Sequence, residues 1–553
     1  MDDFTAEELE KVCTYYGDYP FDPFVARAES SRDPFAILSD TFAKGALLEV
    51  EDKKPPRRMI ESKAADIAAR ALVGWLAWDA EGCSWYLWAG THWAPQLTAG
   101  KAESLIAHLV HIGCGDLGYR PTYLNGIGLL LQRRNLLRLP TFPRGLIPFA
   151  NGVYDIAARR LAPATPTRAL DWCLPHRYDP AADCPTIRAW LLRNVEGDGD
   201  TVELLRAWLA ALLRGMALQK FLVLIGRGGT GKGTFQRLCL ALVGQGNTAV
   251  SALRDLEENR FETAKLYGKR LLMINEAGRH GGSINMLKAI TGGDHVPLER
   301  KHQQQSGSFV FGGLVLMATN EDIVTNDQTS GLERRRLTVR FNITATQEER
   351  ADWEARGGEA AVLHTEIPGL INWCLQLSEN DIRARIETPP ARVRADNLLG
   401  MAAGNSVADW LLECTMPDPE AWGQIGYREE YRAGDGKVYF EHSHDWLYAS
   451  YLTYCQREGR RNPVAIRKFA TTVIDIGETL GHQFVKATHP QARYRAIKGL
   501  RLREDSDPAK GYERMDESIQ PYPRKDRKDT ASNFAPENAV PVDNYDPDEM
   551  EPF

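Results

Sequence analysis

The stretch Phe221-Leu-Val-Leu-Ile-Gly-Arg-Gly-Gly-Thr-Gly-Lys-Gly-Thr234 decides the reading of this chain. Five apolar residues run straight into a G-x-x-x-x-G-K loop, and a helix-forming segment, Phe235 to Val243, follows. A buried strand, a glycine loop and a helix in this order make a phosphate-binding loop. Gly226, Gly228, Gly229 and Gly231 let the backbone fold tightly. The N–H groups of that loop, through Thr230, Gly233 and Thr234, can then converge on phosphate oxygens. The positive end of the next helix adds to the field, and Lys232 supplies a point charge for the outer phosphates. Ser or Thr normally follows the lysine and meets magnesium. Here that position is Gly233, and the hydroxyl comes one later, at Thr234. The loop by itself suits a motor and a small-molecule kinase equally.

Bulk properties narrow the class. A chain of 553 residues has room for roughly three or four domains. No window is long and apolar enough to span a bilayer, and the acidic N-terminus, Met1-Asp-Asp-Phe-Thr, does not read as a signal peptide. The nine cysteines are scattered singly, with no C-x-x-C pair. That pattern opposes a zinc ribbon and a disulfide framework and predicts a reducing, cytoplasmic setting. The net charge is −7. From Glu504 onward there are 14 acidic and 6 basic residues, a balance of −8, which leaves +1 for the rest. The acidity is a property of the tail and does not argue against a body that binds DNA.

The sequence divides into five parts. Residues 1–60 are charged and interrupted, with Glu51-Asp-Lys-Lys-Pro-Pro-Arg-Arg58 as a linker. Residues 61–203 begin with a helical pattern from Ser62 and continue with an aromatic hairpin, Trp85 to Trp93. A strand and turn at Phe149-Ala-Asn-Gly-Val-Tyr-Asp-Ile156 come next, with Asn-Gly as the turn signal. Residues 204–400 start with an apolar helix, Leu204 to Leu218, and then alternate short apolar strands with helices, an α/β pattern. Trp353 to Glu379 reads as a return to helix. Residues 401–503 read as a helix-then-hairpin unit. Residues 504–553 are Pro-, Asp- and Glu-rich and read as disordered.

Four further motifs carry chemistry. Arg270-Leu-Leu-Met-Ile-Asn-Glu276 is an apolar strand ending in a carboxylate. A phosphate-binding loop needs such an acid on the strand beside its own, to hold magnesium or polarise water, and Glu276 is the candidate for both tasks. Leu314-Val-Leu-Met-Ala-Thr-Asn320 ends in an amide that could reach a γ-phosphate or orient water, or could simply end a strand. Gly331-Leu-Glu-Arg-Arg-Arg-Leu337 places Arg334, Arg335 and Arg336 before another strand, Leu337 to Phe341. Arginine there could meet phosphate from a neighbouring subunit, with Arg335 and Arg336 as the candidates, or could form a solvated basic turn. Between the second and third strands, two apolar arms flank a basic, Gln-rich tip that presents Lys301 and His302. A cation and an imidazole suit a phosphate backbone and a base edge, and an ordinary surface hairpin would look the same.

Taken in order, these pieces resemble the phage and plasmid primase-helicases of helicase superfamily 3, kin to the poxvirus helicase-primase. The order is Gly226 to Lys232, Gly268 to Glu276, Leu287-Lys-x-x-Thr-Gly-Gly-Asp294, the strand ending Thr319-Asn320, and the arginines before Phe341. The resemblance extends to Trp88-x-Gly90-x-x-Trp93, Asn151-Gly152 and Tyr178-Asp-Pro, which look like the domain that precedes the helicase. It also takes in Leu447 to Leu502, which looks like a C-terminal winged helix with Arg467 and Lys468 on a helix and Arg493, Arg495 and Lys498 on the wing. The resemblance implies an AAA+-like P-loop core and a homo-oligomeric, hexameric ring. ATP with Mg2+ would sit between subunits, with Thr234 and Glu276 near the metal, and would drive the hairpins 3′→5′ along single-stranded or forked DNA. No primase is expected: no zinc-ligand spacing is present, and Asp198-Gly-Asp200 reads as a turn. Two other classes, a small-molecule kinase and a non-motor AAA+ scaffold or defence protein, fit the loop but not the full order. The chain ends in an acidic run closing on Pro552-Phe553. It reads as a solubilising tail, or as a tip offered to host replication proteins.

Overall fold

Phe221-Leu-Val-Leu-Ile225 is apolar at every position because the strand it forms is buried on both faces. In the computed structural model this strand, β1, lies in a five-stranded, all-parallel sheet. The other members are β2 (Thr248–Ser251), β3 (Leu271–Asn275), β4 (Leu314–Thr319) and β5 (Arg336–Arg340), in the order β2-β3-β4-β1-β5. The structure describes residues 33–504 except 81, 97–99, 276–283, 300–306, 322–333, 433–437, 461 and 480–481, together with 507 and 540–541.

Alternate side chains of the sheet feed two different cores, as the two-residue period of a strand requires. Leu222, Leu224, Leu271, Met273, Leu314 and Leu316 point to one side. There they meet helices α2 (Gly199–Arg214) and α3 (Lys232–Val243) and the helix Ile367–Leu375. Phe221, Val223, Ile225, Leu272, Ile274, Val315 and Met317 point to the other, against Leu253 and Leu256 of helix Leu253–Glu258 and Leu287 and Ile290 of helix Asn285–Gly292. The α/β class expected from the alternating pattern is borne out as a parallel sheet covered on both faces.

Helix ends follow local chemistry. Asp198 caps α2 by accepting from the N–H groups of Asp200 and Thr201, so Asp198-Gly-Asp200 is a helix start. The same helix stops at Gly215, in the left-handed region at φ 64°, where a Cβ would collide with the Arg270 guanidinium. Trp353 to Glu379 is not one helix. It is cut into Gln347–Ala355, Gly358–Val362 and Ile367–Leu375, with left-handed Gly357 and Gly358 between the first two.

The aromatic hairpin is present, with Trp88 paired to Trp93 across its turn. It belongs to a separate core with helices Glu61–Leu72, Gly100–Cys114 and Pro121–Arg133. In the second hairpin Phe149 pairs directly with Gly152, so Ala150-Asn151 is the two-residue loop. Gly152 is required there because a Cβ would meet the Ala162 carbonyl at 2.5 Å. Asn151 ties this turn to the following segment: its Oδ1 accepts from Tyr178 N at 2.8 Å, and its Nδ2 donates to Tyr178 O at 3.2 Å.

The C-terminal part has its own core around Trp410, Tyr451 and Phe469. Its order is helix Ser406–Cys414, strand Thr415–Gln424, the short hairpin Glu430–Arg432/Val438–Phe440, helices Leu447–Arg457 and Ile466–Thr479, then strands Val485–Thr488 and Arg495–Leu502. The three strands form an antiparallel sheet with Arg495–Leu502 in the middle. Helix Ala391–Gly404 crosses the 400/401 boundary: Asn397 bonds to β5, whereas Met401 packs in the C-terminal core. Among the described residues no helix is long and apolar enough to cross a membrane.

Candidate functional site

The glycine loop leaves the carboxyl end of β1, and the chain position of every neighbour is set by the sheet order. From β1 the chain moves outward to β2 at one edge. From β4, directly beside β1, it crosses to β5 at the other edge. The two connections run in opposite directions, so the topological switch point lies between β1 and β4, the place where open α/β sheets bind ligands. The sequence expectation that Glu276 ends the strand beside β1 is corrected here. Its strand, β3, is one strand further away, and β4 with Asn320 stands between. Glu276 itself lies outside the described residues.

Lys232 and Asn320 meet at this point. Lys232 Nζ donates to Asn320 Oδ1 at 3.1 Å and to the carbonyls of Gly226 at 2.5 Å and Arg227 at 2.9 Å. The lysine is buried, and that burial lowers its pKa. Gly231 starts α3 at φ 92°. A Cβ there would meet Trp190 and Asn194 at 3.3 Å, so the end of α1 (Pro185–Asn194) lies against the loop. Gly226 has no room for a Cβ either, because the Phe341 carbonyl occupies that space. The later segment covers the loop's outer side: Ala345 N donates to Gly229 O at 3.2 Å, and Arg350 stands beside Gly229.

Among the described residues, the backbone N–H groups from Gly228 to Thr234 have no acceptor. Asn194, 1% exposed, has an Nδ2 without a partner next to them. A row of unpaired donors, a helix N-terminus and an ammonium fit a polyphosphate. They do not fit the magnesium expectation equally well. Thr234 Oγ1 donates to Glu359 Oε2 at 3.0 Å, and Arg237 is paired to the same carboxylate at 2.6 Å. That ion pair raises the Arg237 pKa. Asn275, at the end of β3, accepts from Gln236 Nε2 at 2.7 Å.

The three arginines separate. Arg336 is 1% exposed and donates to the Asn397 carbonyl at 2.9 Å, so it is a core residue and not a group presented to another subunit. Arg335 is partly exposed and donates to the Lys288 carbonyl at 2.6 Å, and Arg334 is exposed. Arg336 pairs with Phe221 at the start of β1, the end opposite the loop. That separation, about 13 Å of strand, keeps this arginine cluster from its own chain's loop.

The hairpin arms expected around residue 301 exist as His295–Leu298 and Gly307–Val310, paired antiparallel. Its tip residues Lys301 and His302 lie outside the described residues, as do Pro552 and Phe553. Arg467 and Lys468 are exposed on helix Ile466–Thr479. Arg493 is exposed in the turn before the last strand, and Arg495 and Lys498 are exposed on that strand, between buried Ala496 and Ile497. Lys498 Nζ lies 5.6 Å from the Trp422 ring centre.

Sequence reasoning missed Glu359, Asn194 and Arg350. Each comes from an element with no phosphate-binding pattern of its own.

Two family models match the chain. One described as "D5 N terminal like" covers residues 132–195, and one described as "Family of unknown function (DUF5906)" covers 224–336. Among solved structures, the A-form apo C-terminal region of NrS-1 is 12% identical over 76% of this chain and 96% of that chain, with a TM-score of 0.40. An apo structure of the NrS-1 C-terminal region, 305–718, is 12% identical over 77% and 95%, with a TM-score of 0.36. Residues 132–195 thus match a D5-type segment, and the resemblance to the primase-helicases read from the motifs is borne out to that extent.

Proposed function

We propose that this chain is an ATP-dependent DNA helicase acting in the replication of a phage, satellite or plasmid. The observation that carries the reading is the meeting of Lys232 and Asn320 at the switch point, beside the unpaired N–H groups of the glycine loop. In this reading the loop is a P-loop in an AAA+-like core. Lys232 exchanges its carbonyl partners for phosphate oxygens, and Asn320 orients the outer phosphate or the attacking water. ATP supplies the free energy of translocation when bound and hydrolysed, with Glu276 as the acid. Arg335 reaches the loop of the next subunit in a hexameric ring, because its own loop is at the far end of the sheet. Lys301 and His302 contact single-stranded DNA from the hairpin tip and move it 3′→5′.

Helix Ser406–Cys414, strand Thr415–Gln424, two helices and two closing strands, with a short hairpin inserted before the helices, support a winged helix. Its exposed Arg467, Lys468, Arg493, Arg495 and Lys498 supply phosphate contacts. The experiment is ATP hydrolysis with and without single-stranded DNA, together with unwinding of a fork. DNA should stimulate hydrolysis, and Lys232→Ala should abolish both activities while leaving the far-UV circular dichroism unchanged. Hydrolysis indifferent to DNA, with no unwinding, would sink the motor reading and leave a nucleotide switch or a kinase.

A further inference from the structure

Glu429, Glu441 and His442 bring their ligand atoms within 4.8 Å of one another. We infer that they form a binding site for a first-row divalent cation, zinc above all, at the root of the hairpin Glu430–Arg432/Val438–Phe440.

The backbone builds the cluster. Glu430 pairs with Phe440 in the antiparallel ladder, so Glu429 and Glu441 face each other one step beyond it, with Glu441 N donating to Glu429 O at 3.0 Å. His442 follows with a left-handed backbone, φ 54°, and its carbonyl accepts from Asp445 N at 3.0 Å and Trp446 N at 2.8 Å. The imidazole stacks on Trp446 at 4.0 Å, and Trp446 packs against Tyr427 at 4.7 Å. A side chain that is 44% exposed is thereby held in one orientation.

The two ring nitrogens face different partners. Nδ1 lies 3.7 Å from Asp445 Oδ2, and Nε2 lies 4.0 Å from Glu429 Oε2. At 3.7 Å the Asp445 carboxylate is beyond hydrogen-bond distance; a small side-chain closure would let it orient an imidazole that binds metal through Nε2. Charge points the same way. Glu430 is neutralised by Arg428 at 2.7 Å, but among the described residues neither Glu429 nor Glu441 pairs with a lysine or arginine. Two carboxylates this close repel, and a divalent cation shared between them and the imidazole relieves that repulsion. An imidazole among the ligands favours zinc and its transition-metal neighbours over magnesium or calcium. Ligand atoms around tetrahedral zinc stand roughly 3.3 Å apart, so each side chain closes by about an ångström, a rotamer adjustment for exposed glutamates. Three protein ligands leave the fourth position to water. The bound ion would clamp the hairpin root to the turn that starts helix Leu447–Arg457.

The full-length chain, stripped with EDTA and dialysed, is titrated with Zn2+ by calorimetry and with Co2+ by absorption. One tight zinc per chain is expected, lost in the combined Glu429→Gln, Glu441→Gln and His442→Ala variant. Asp445→Asn should weaken binding by about 10- to 100-fold. The cobalt spectrum should show ligand-field bands without thiolate charge transfer, which separates this site from one made by the cysteines. The thermal midpoint of the metal-free triple variant checks that it folds. No zinc binding at micromolar concentration, or equal zinc affinity and stoichiometry in parent and triple variant, overturns the site.

Discussion

Thr234 Oγ1 donates to Glu359 Oε2 across 3.0 Å, which places a carboxylate at the first turn of the helix that follows the glycine loop. Arg237 holds the same carboxylate, so Glu359 is neutralised locally while it occupies the hydroxyl that sequence assigned to magnesium. The pair also ties the segment after β5 to the loop region, as Ala345 does at Gly229.

Glu359→Gln removes a negative charge beside the anion site and frees the positive charge of Arg237. A single charge at partly screened distance contributes on the order of 1 kcal/mol. ATP binding, followed by fluorescence titration at low salt, should tighten by about three- to tenfold, and the gain should shrink as salt rises. Weaker binding in this variant would show that the carboxylate holds Thr234 in a productive position instead.

Asn320→Ala should retain nucleotide binding and lose turnover by about two orders of magnitude, the cost of removing one aligned polar group from a reacting phosphate. Single-turnover hydrolysis separates the two quantities. Parental turnover would reduce Asn320 to a strand terminus that merely satisfies Lys232.

Arg335 and Arg336 should behave oppositely. Arg336 is buried and bonded to the Asn397 carbonyl, and Asn397 in turn accepts from Thr338 N at 2.7 Å. Arg336→Ala breaks this tie between β5 and helix Ala391–Gly404 and should cost about 2–4 kcal/mol. Arg335→Ala should leave the unfolding midpoint unchanged and lose hydrolysis. Mixing Arg335→Ala subunits with Lys232→Ala subunits should restore part of the activity, because some interfaces then carry both intact halves. A mixture as inactive as its components would remove Arg335 from a shared site.

Five of the exposed basic residues of the C-terminal part predict a salt signature. Charge removal at Arg467, Lys468, Arg493, Arg495 or Lys498 should weaken DNA binding across sequences alike. Each loss should lower the slope of log affinity against log salt by about 1. An unchanged slope for all five would place the DNA elsewhere.

His92 supplies the pH dependence. Burial depresses its pKa to about 4, against an ordinary value near 6.5. A base with a lowered folded pKa is neutral in the fold and takes up a proton on unfolding. Its contribution is therefore complete above pH 6.5 and is lost as pH falls toward 4. Denaturant unfolding of the N-terminal part should lose roughly 2–3 kcal/mol over that window, and His92→Gln should flatten the loss. Equal pH profiles in parent and variant would assign the acid sensitivity to other groups.

The local elements were legible because their causes are local. A continuous apolar run marks a strand buried on both faces, so β1, β3, β4 and β5 could be read from Phe221, Leu271, Leu314 and Leu337 onward. The glycines that bend the loop, the Asp198 cap and the paired tryptophans of the first hairpin also act within a few residues. Sequence by itself therefore determined the strand–loop–helix unit, the α/β class and the basic, exposed positions near the C-terminus. Tertiary structure alone decided which strand stands beside β1, since order within a parallel sheet depends on how crossovers pack and leaves no mark on the strands. It brought Lys232 to Asn320 across 88 residues and Thr234 to Glu359 across 125. It also buried Arg336, the first residue of β5, under helix Ala391–Gly404 while leaving Arg335, in the turn before the strand, partly exposed. The Glu429–Glu441–His442 cluster has the same origin. A hairpin register and one left-handed residue place its three side chains together, and no spacing in the sequence announces that meeting.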